Sequence, residues 1–149
     1  MNLADIKKLH QKKYRQSFGH YLVEGEHLII ELQKAAARQS TLEASELYVT
    51  RAYEHWQSPF RTHVINDRQM VQLADTRTPQ GILAVVPMPE RPAEPVPGEK
   101  AIYLHEVQDP GNLGTILRTL AWFGGFRCLL SPGSVDPFNP KVVRASMGA

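Results

Sequence analysis

Two residues of this chain have the types and spacing of a group that holds a ribose or a phosphate: Asn112 and Arg118, within residues 109–126, DPGNLGTILRTLAWFGGF. The run 108–114, QDPGNLG, is rich in turn formers and lies between a strand-like and a helix-like segment, where open α/β sheets place their ligands. Leu113, Ile116, Leu117, Leu120 and Ala121 recur at helical spacing as a buried stripe, and Arg118 falls beside that stripe, one turn after Gly114. Gly114 has no side chain, so a phosphate or ribose can approach the first helical turn within reach of the guanidinium, whose planar fork suits phosphate oxygens. The helix N-terminus adds donors and positive potential. A plainer account uses the same residues: Asn112 at the cap position serves the backbone, and Arg118 is a surface or ion-paired residue. Spacing alone does not choose between the two. The loop is not a G-x-G-x-x-G fingerprint, and position 133, about 20 residues on, is Gly, with Asp136 in a different loop, which excludes a conventional dinucleotide site.

A second group is basic. Lys7, Lys8, Lys12, Lys13 and Arg15 crowd the first helix-like segment with His10 and His20, and only Asp5 opposes them. Such a patch neutralises nucleic-acid phosphates, or else is a solvated helix face. His10, His20, His27, His55, His63 and His105 show no ligand spacing with acidic or cysteine partners, so no metal is expected. Trp122, one turn beyond Arg118, has the chemistry to stack a base, although packing against a helix or a subunit is the better reading.

The elements that must position these residues follow from periodicity. Leu3, Ile6 and Leu9 recur at helical spacing, residues 20–23 read as a strand ended by Glu24 and Gly25, and Leu28, Ile29, Leu32 and Ala36 mark a second helix. Residues 47–50 and 63–65 read as short strands, Asn66 or Asp67 caps a helix carrying Met70, Val71 and Leu73, and residues 81–86 form a continuous apolar strand. This is an alternating α/β domain spanning residues 1–86. Residues 87–100, PMPERPAEPVPGEK, hold five of the eleven prolines and read as a stiff linker. Beyond it, residues 101–104 (strand), 112–122 (helix), 127–130 (strand) and 141–147 (start of a helix) make a βαβ unit with a parallel sheet, the domain 101–149.

The chain has 149 residues, 42% of them hydrophobic, and a net charge of +2, which suits one ordinary domain or two small ones with a packed core. No run approaches the ~20 apolar residues of a membrane span, and the charged start MNLADIKKLHQKK lacks a signal peptide's apolar region, so a cytoplasmic protein is expected. The single cysteine, Cys128, excludes an internal disulfide and reads as core.

The stretch 109–126 resembles the first signature motif of the SpoU/TrmH class of SPOUT RNA methyltransferases, and residues 131–149, SPGSVDPFNPKVVRASMGA, resemble the second. RQSFGHYLVEGEHLI from Arg15 and ADTRTPQGILAVV from Ala74 are similar to the substrate-binding domain that precedes the catalytic domain in many members. The resemblance implies an α/β protein. A small ribosomal-protein-like α/β/α RNA-binding domain would precede the first part of a Rossmann-like SPOUT domain. It implies transfer of a methyl group from S-adenosylmethionine to a ribose 2′-hydroxyl of RNA, ribosomal RNA by family habit more than transfer RNA. Asn112 and Arg118 match the active-site Asn and Arg. A guanidinium carries donors and no acceptor and is a poor base, which favours Arg118 holding the neighbouring phosphate. Lys12, Lys13 and Arg15 become candidate RNA contacts, joined by Lys141 and Arg144 of the second motif. The third motif and the knot are not found before Ala149, so the cofactor-binding residues are expected beyond it, with this chain inactive alone and apolar edges exposed. A homodimer is implied for the full-length family. The competing expectation is an RNA-binding module without catalysis.

Overall fold

A computed structural model describes residues 1–89 and 94–149, which divide into two compact units, Met1–Pro89 and Glu90–Ala149.

The first unit is built on a mixed four-stranded sheet of β1 (His20–Glu24), β2 (Glu46–Val49), β3 (Arg61–Val64) and β4 (Ile82–Pro87) in the order β1-β4-β2-β3. β4 runs antiparallel to both its neighbours, with Leu22 opposite Val85 and Leu47 opposite Ala84, while β2 and β3 are parallel. The unbroken apolar run Ile82, Leu83, Ala84, Val85, Val86 is explained by this central place: all five are buried, because helices and loops cover both faces. Helix α3 (Glu26–Ala36) buries Leu28, Ile29, Leu32 and Ala36, the stripe its periodicity marks, and α4 (Asp67–Leu73) starts with a reciprocal capping box between Asn66 and Gln69. Met70 and Leu73 of α4 join Ile6, Leu9, Leu22, Tyr48, Leu83 and Val85 in one core cluster, whereas Val71 faces out.

Strand β4 continues through Pro87, which lies opposite His20, and Met88 N–H donates to Gly19 O at 2.7 Å. The segment expected to begin the linker is therefore partly sheet. The reason is local: an edge-facing proline removes no ladder bond. Residues 90–93 of that expected linker lie outside the described residues.

The first basic segment is not one helix but two, α1 (Leu3–Lys8) and α2 (Lys12–Phe18), broken by the extended Gln11. Arg15 is the cause of the tight junction. Expected on an RNA-facing surface, it is only 1% exposed, and its guanidinium Nη1 donates to the Leu9 carbonyl oxygen at 2.7 Å. The charge there satisfies a carbonyl that the broken helix leaves without an amide, so Arg15 is a structural residue and not a phosphate contact. Lys12 and Lys13 of the same helix stay exposed.

The second unit pairs β5 (Lys100–Leu104) with β6 (Phe126–Leu130) in parallel, Ile102 opposite Cys128, and carries α5 (Pro110–Phe123) between them and α6 (Pro140–Ser146) after them. The βαβ order read from the sequence is present. Of the apolar stripe expected on α5, however, only Leu113 is buried, together with Gly114; Ile116, Leu117 and Leu120 are half-buried and Ala121 is exposed. Two strands and α6 are, among the described residues, too little surface to cover the whole stripe. Cys128 is likewise half-buried, and desolvation raises its thiol pKa.

Arg15→Ala should lower the stability of the chain by about 3 kcal/mol, the upper end of ordinary substitutions, while Lys12→Ala should stay within about 0.5 kcal/mol. Urea midpoints for the two variants check this, and equal midpoints would contradict the structural role of Arg15.

Candidate functional site

The site is assembled at the carboxyl ends of β5 and β6, where parallel strands leave room for ligands. Three hydrogen bonds stitch the two loops together: Ser131 N–H to Leu104 O at 3.0 Å, Glu106 N–H to Ser131 Oγ at 2.8 Å, and Val135 N–H to Val107 O at 2.9 Å. Ser131 is buried, and its hydroxyl donates a hydrogen bond to Pro132 O at 3.0 Å. Glu106 is held in a left-handed conformation, φ 49°, against the loop that turns at Gly133. Residues other than glycine seldom adopt that region, so the loop geometry is imposed by its bonds and not by local preference.

Helix α5 begins by the same rule as α6. Asp109 caps α5, accepting from Asn112 N–H at 2.7 Å, with Pro110 as the first helical residue. Asn139 caps α6, accepting from Lys141 N–H at 2.9 Å, with Pro140 in the matching place. A cap followed by proline satisfies one orphan amide and removes another. Asn112 is therefore not the cap; it sits in the first turn, exposed, and its side-chain amide makes no hydrogen bond among the described residues. The Asp-Pro pair carried this signal in the sequence, and reading Asn112 as the cap overlooked it.

Arg118 is exposed on α5, with no carboxylate paired to it among the described residues. It stands six positions after Asn112 on the helix, which puts the two about 120° apart around the axis and roughly 9 Å along it. The helix thus offers an amide near its start and a guanidinium farther along, for groups at two different places on a ligand. Thr115 and Thr119 do not compete: their hydroxyls donate to the Gly111 and Thr115 carbonyls at 2.9 Å. Lys141 is exposed on α6 and Arg144, one turn on, is half-buried.

Gly114 does a different job from the one its spacing suggested. A Cβ built there would stand 2.4 Å from Ala145 Cβ and 2.9 Å from the Ala145 carbonyl carbon and the Ser146 nitrogen. The space beside Gly114 is filled by α6, so it is a helix-crossing residue and no ligand approaches through it. Sequence spacing cannot tell a glycine that admits a ligand from one that admits a helix.

A capped helix that follows the end of one of two parallel strands and carries Asn and Arg defines an α/β protein with a strand–loop–helix polar site. The comparisons identify which. Residues 99–149 match the SpoU rRNA methylase family and residues 2–84 the MRM3-like substrate-binding domain. The chain is 34% identical over 147 residues to the 23S rRNA (guanosine(2553)-2′-O)-methyltransferase RlmP of Bacillus subtilis, covering 99% of this chain and 58% of that protein. It is 32% identical over 146 residues to the human mitochondrial rRNA methyltransferase 3, of which it covers 35%. Among solved structures, it matches the AdoMet-bound rRNA methyltransferase of Sinorhizobium meliloti at 26% identity and a TM-score of 0.78, over 98% of this chain and 57% of that one. A TrmH-family protein of Porphyromonas gingivalis matches at 34% identity and a TM-score of 0.81, over 98% and 57%. The chain belongs to the SpoU/TrmH family of RNA 2′-O-methyltransferases, with an N-terminal MRM3-like substrate-binding domain and part of a SpoU domain. It spans a little under three fifths of the Bacillus relative. Among the described residues no helix is long and apolar enough to cross a membrane, and mitochondrial proteins stand among the relatives.

Gly114→Ala tests the helix crossing. Helix propensity alone would favour alanine by about 1 kcal/mol. Overpacking against backbone atoms that cannot swing away costs about 1–3 kcal/mol, so a net loss is expected. Asp109→Ala should cost about 1 kcal/mol through the lost cap. Thermal unfolding measures both, and a Gly114→Ala chain more stable than its parent would contradict the crossing.

Proposed function

We propose that this chain carries the RNA-binding side of a ribose 2′-O-methyltransferase acting on ribosomal RNA. The observation that carries the reading is the pair on α5: Asn112, freed from capping by Asp109, and Arg118, exposed without a carboxylate partner among the described residues. Arg118 binds the phosphate next to the target nucleotide through its two-pronged fork, and Asn112 hydrogen-bonds the ribose. Lys141 and Arg144 of α6 add phosphate contacts, and Lys12 and Lys13 of the substrate-binding unit supply counterion-releasing affinity. Ribosomal over transfer RNA follows the relatives, whose names specify 23S rRNA and mitochondrial rRNA methylation.

The methyl donor of the family, S-adenosylmethionine, is a sulfonium cation, and it is bound in the Sinorhizobium relative. A guanidinium is an unfavourable neighbour for it, so Arg118 fits the anionic substrate and not the donor; we assign the donor no residue of this chain. Arg118, which has hydrogen-bond donors and no acceptor, orients the attacking hydroxyl, whose proton passes to another group. Pairing of two copies accords with the apolar side chains left exposed on this unit: Tyr103 and Leu129, in register on β5 and β6, and Trp122 and Phe123 at the end of α5.

Filter binding to a 23S rRNA transcript tests the reading. Lys12→Ala and Lys13→Ala should each flatten the slope of log affinity against log salt by about 1, with uniform weakening across sequences. Arg118→Ala should abolish photocrosslinks from RNA to α5 while crosslinks to the N-terminal unit persist. Crosslinking to α5 that is indifferent to Arg118 would sink the assignment.

A further inference from the structure

The ring of Tyr14 lies in the middle of the basic segment, and two ammonium groups are placed over it: Lys13 Nζ at 4.7 Å from the ring centroid and Lys8 Nζ at 5.7 Å. Tyr14 is half-buried on α2, and its ring meets that of Phe18 at 5.7 Å with a tilt of 32°, while Phe18 packs against the core cluster of Ile6 and Leu9. The helix that presents the ring is fixed at its inner side by the buried Arg15, bonded to the Leu9 carbonyl. The ring therefore has a braced edge, a fixed backbone and a cationic surround. Lys8 is partly neutralised by Asp5, at 2.7 Å, whereas Lys12 and Lys13 have no carboxylate partner among the described residues.

We propose that Tyr14 is a stacking platform for an unpaired nucleobase of the bound RNA, with Lys13 and Lys12 contacting the phosphates on either side of that nucleotide. This rests on the RNA-binding reading of the N-terminal unit and adds to it a preference for single-stranded or looped RNA. The chemistry singles out a nucleotide: the ammonium groups over the ring suit an anion, and when phosphates draw those flexible side chains aside the ring face is open to π-stacking, which every base accepts. An apolar protein surface would have to bury those lysines unpaired. A duplex keeps its bases stacked and presents phosphate alone, so it would use the lysines and leave the ring idle.

The test compares the whole chain and three variants, binding a short oligoadenylate and a blunt-ended RNA duplex of equal length. Tyr14→Leu keeps the bulk but removes the ring; it should weaken oligoadenylate binding at least about fivefold, with its salt slope unchanged and duplex affinity unaltered. Tyr14→Phe should keep parental affinity for oligoadenylate, which a lost hydroxyl contact would not, and the unaltered duplex affinity of Tyr14→Leu excludes a misfolded helix. Lys13→Ala should weaken both probes and flatten both slopes. If Tyr14→Leu binds both probes as the parent does, or loses both equally, the platform is overturned while the RNA-binding reading stands. If the parent binds neither probe, both fall.

Discussion

The approach of α5 to α6 at Gly114 is the constraint on which the candidate site depends. With Ala145 and the Ser146 amide occupying the place of a side chain, the two helices touch backbone to side chain, and few rearrangements of either are open. That contact fixes the rotation of α5 about its axis. Once the rotation is fixed, Leu113 must point inward and Arg118 outward, and the last turn of α6, which holds Arg144, is carried beside the same helix. The polar residues need no contacts with one another to be organised; the crossing and the two cap-proline starts do it for them. Asp109 and Asn139, serving the backbone, are as much part of the site as the residues they release.

In the N-terminal unit, a buried charge plays the comparable part. Arg15 is buried where the chain turns between α1 and α2, and its guanidinium meets the Leu9 carbonyl there. A side chain without a hydrogen-bond donor would leave the carbonyl unsatisfied, at a cost of about 1–3 kcal/mol. The same bond sets where Lys12, Lys13 and Tyr14 emerge, so the one basic residue of the segment that cannot meet a ligand governs the display of those that can. Glu24 does similar work at the far end of β1: its carboxylate, nearly buried, accepts from the Asp75 amide at 2.9 Å and from the Thr76 hydroxyl, tying the loop after α4 to the sheet.

Much of this was legible in the residues, and where it was not the reason is physical. The apolar run of β4, the stripe of α3 and the strand–helix–strand order after the proline-rich segment are signals written in hydrophobic period, which survives any tertiary context. Arg15 was misplaced because charge clustering along a sequence says nothing about which face of a helix each charge takes. Gly114 was misread because a missing side chain makes room without saying for what. The break between α1 and α2 was invisible to periodicity, since Leu3, Ile6 and Leu9 keep helical spacing up to the point where the backbone departs from it. Each of these misses concerns a contact between residues that spacing does not relate.

The division of labour on α5 also bears on how such a site can change. Leu113 and Gly114 answer to packing, Asp109 and Pro110 to the helix start, and the two threonines to backbone carbonyls. That leaves Asn112 and Arg118 as the polar side chains of the helix without a structural task among the described residues. A residue held only by its neighbours' needs can be replaced when those neighbours adapt. Asn112 and Arg118 are under no such obligation, so what the fold leaves them is exposure, a fixed direction and a spacing of roughly 9 Å along the axis. With about 120° between the two residues around the axis as well, that spacing keeps the amide and the guanidinium from closing on one small anion.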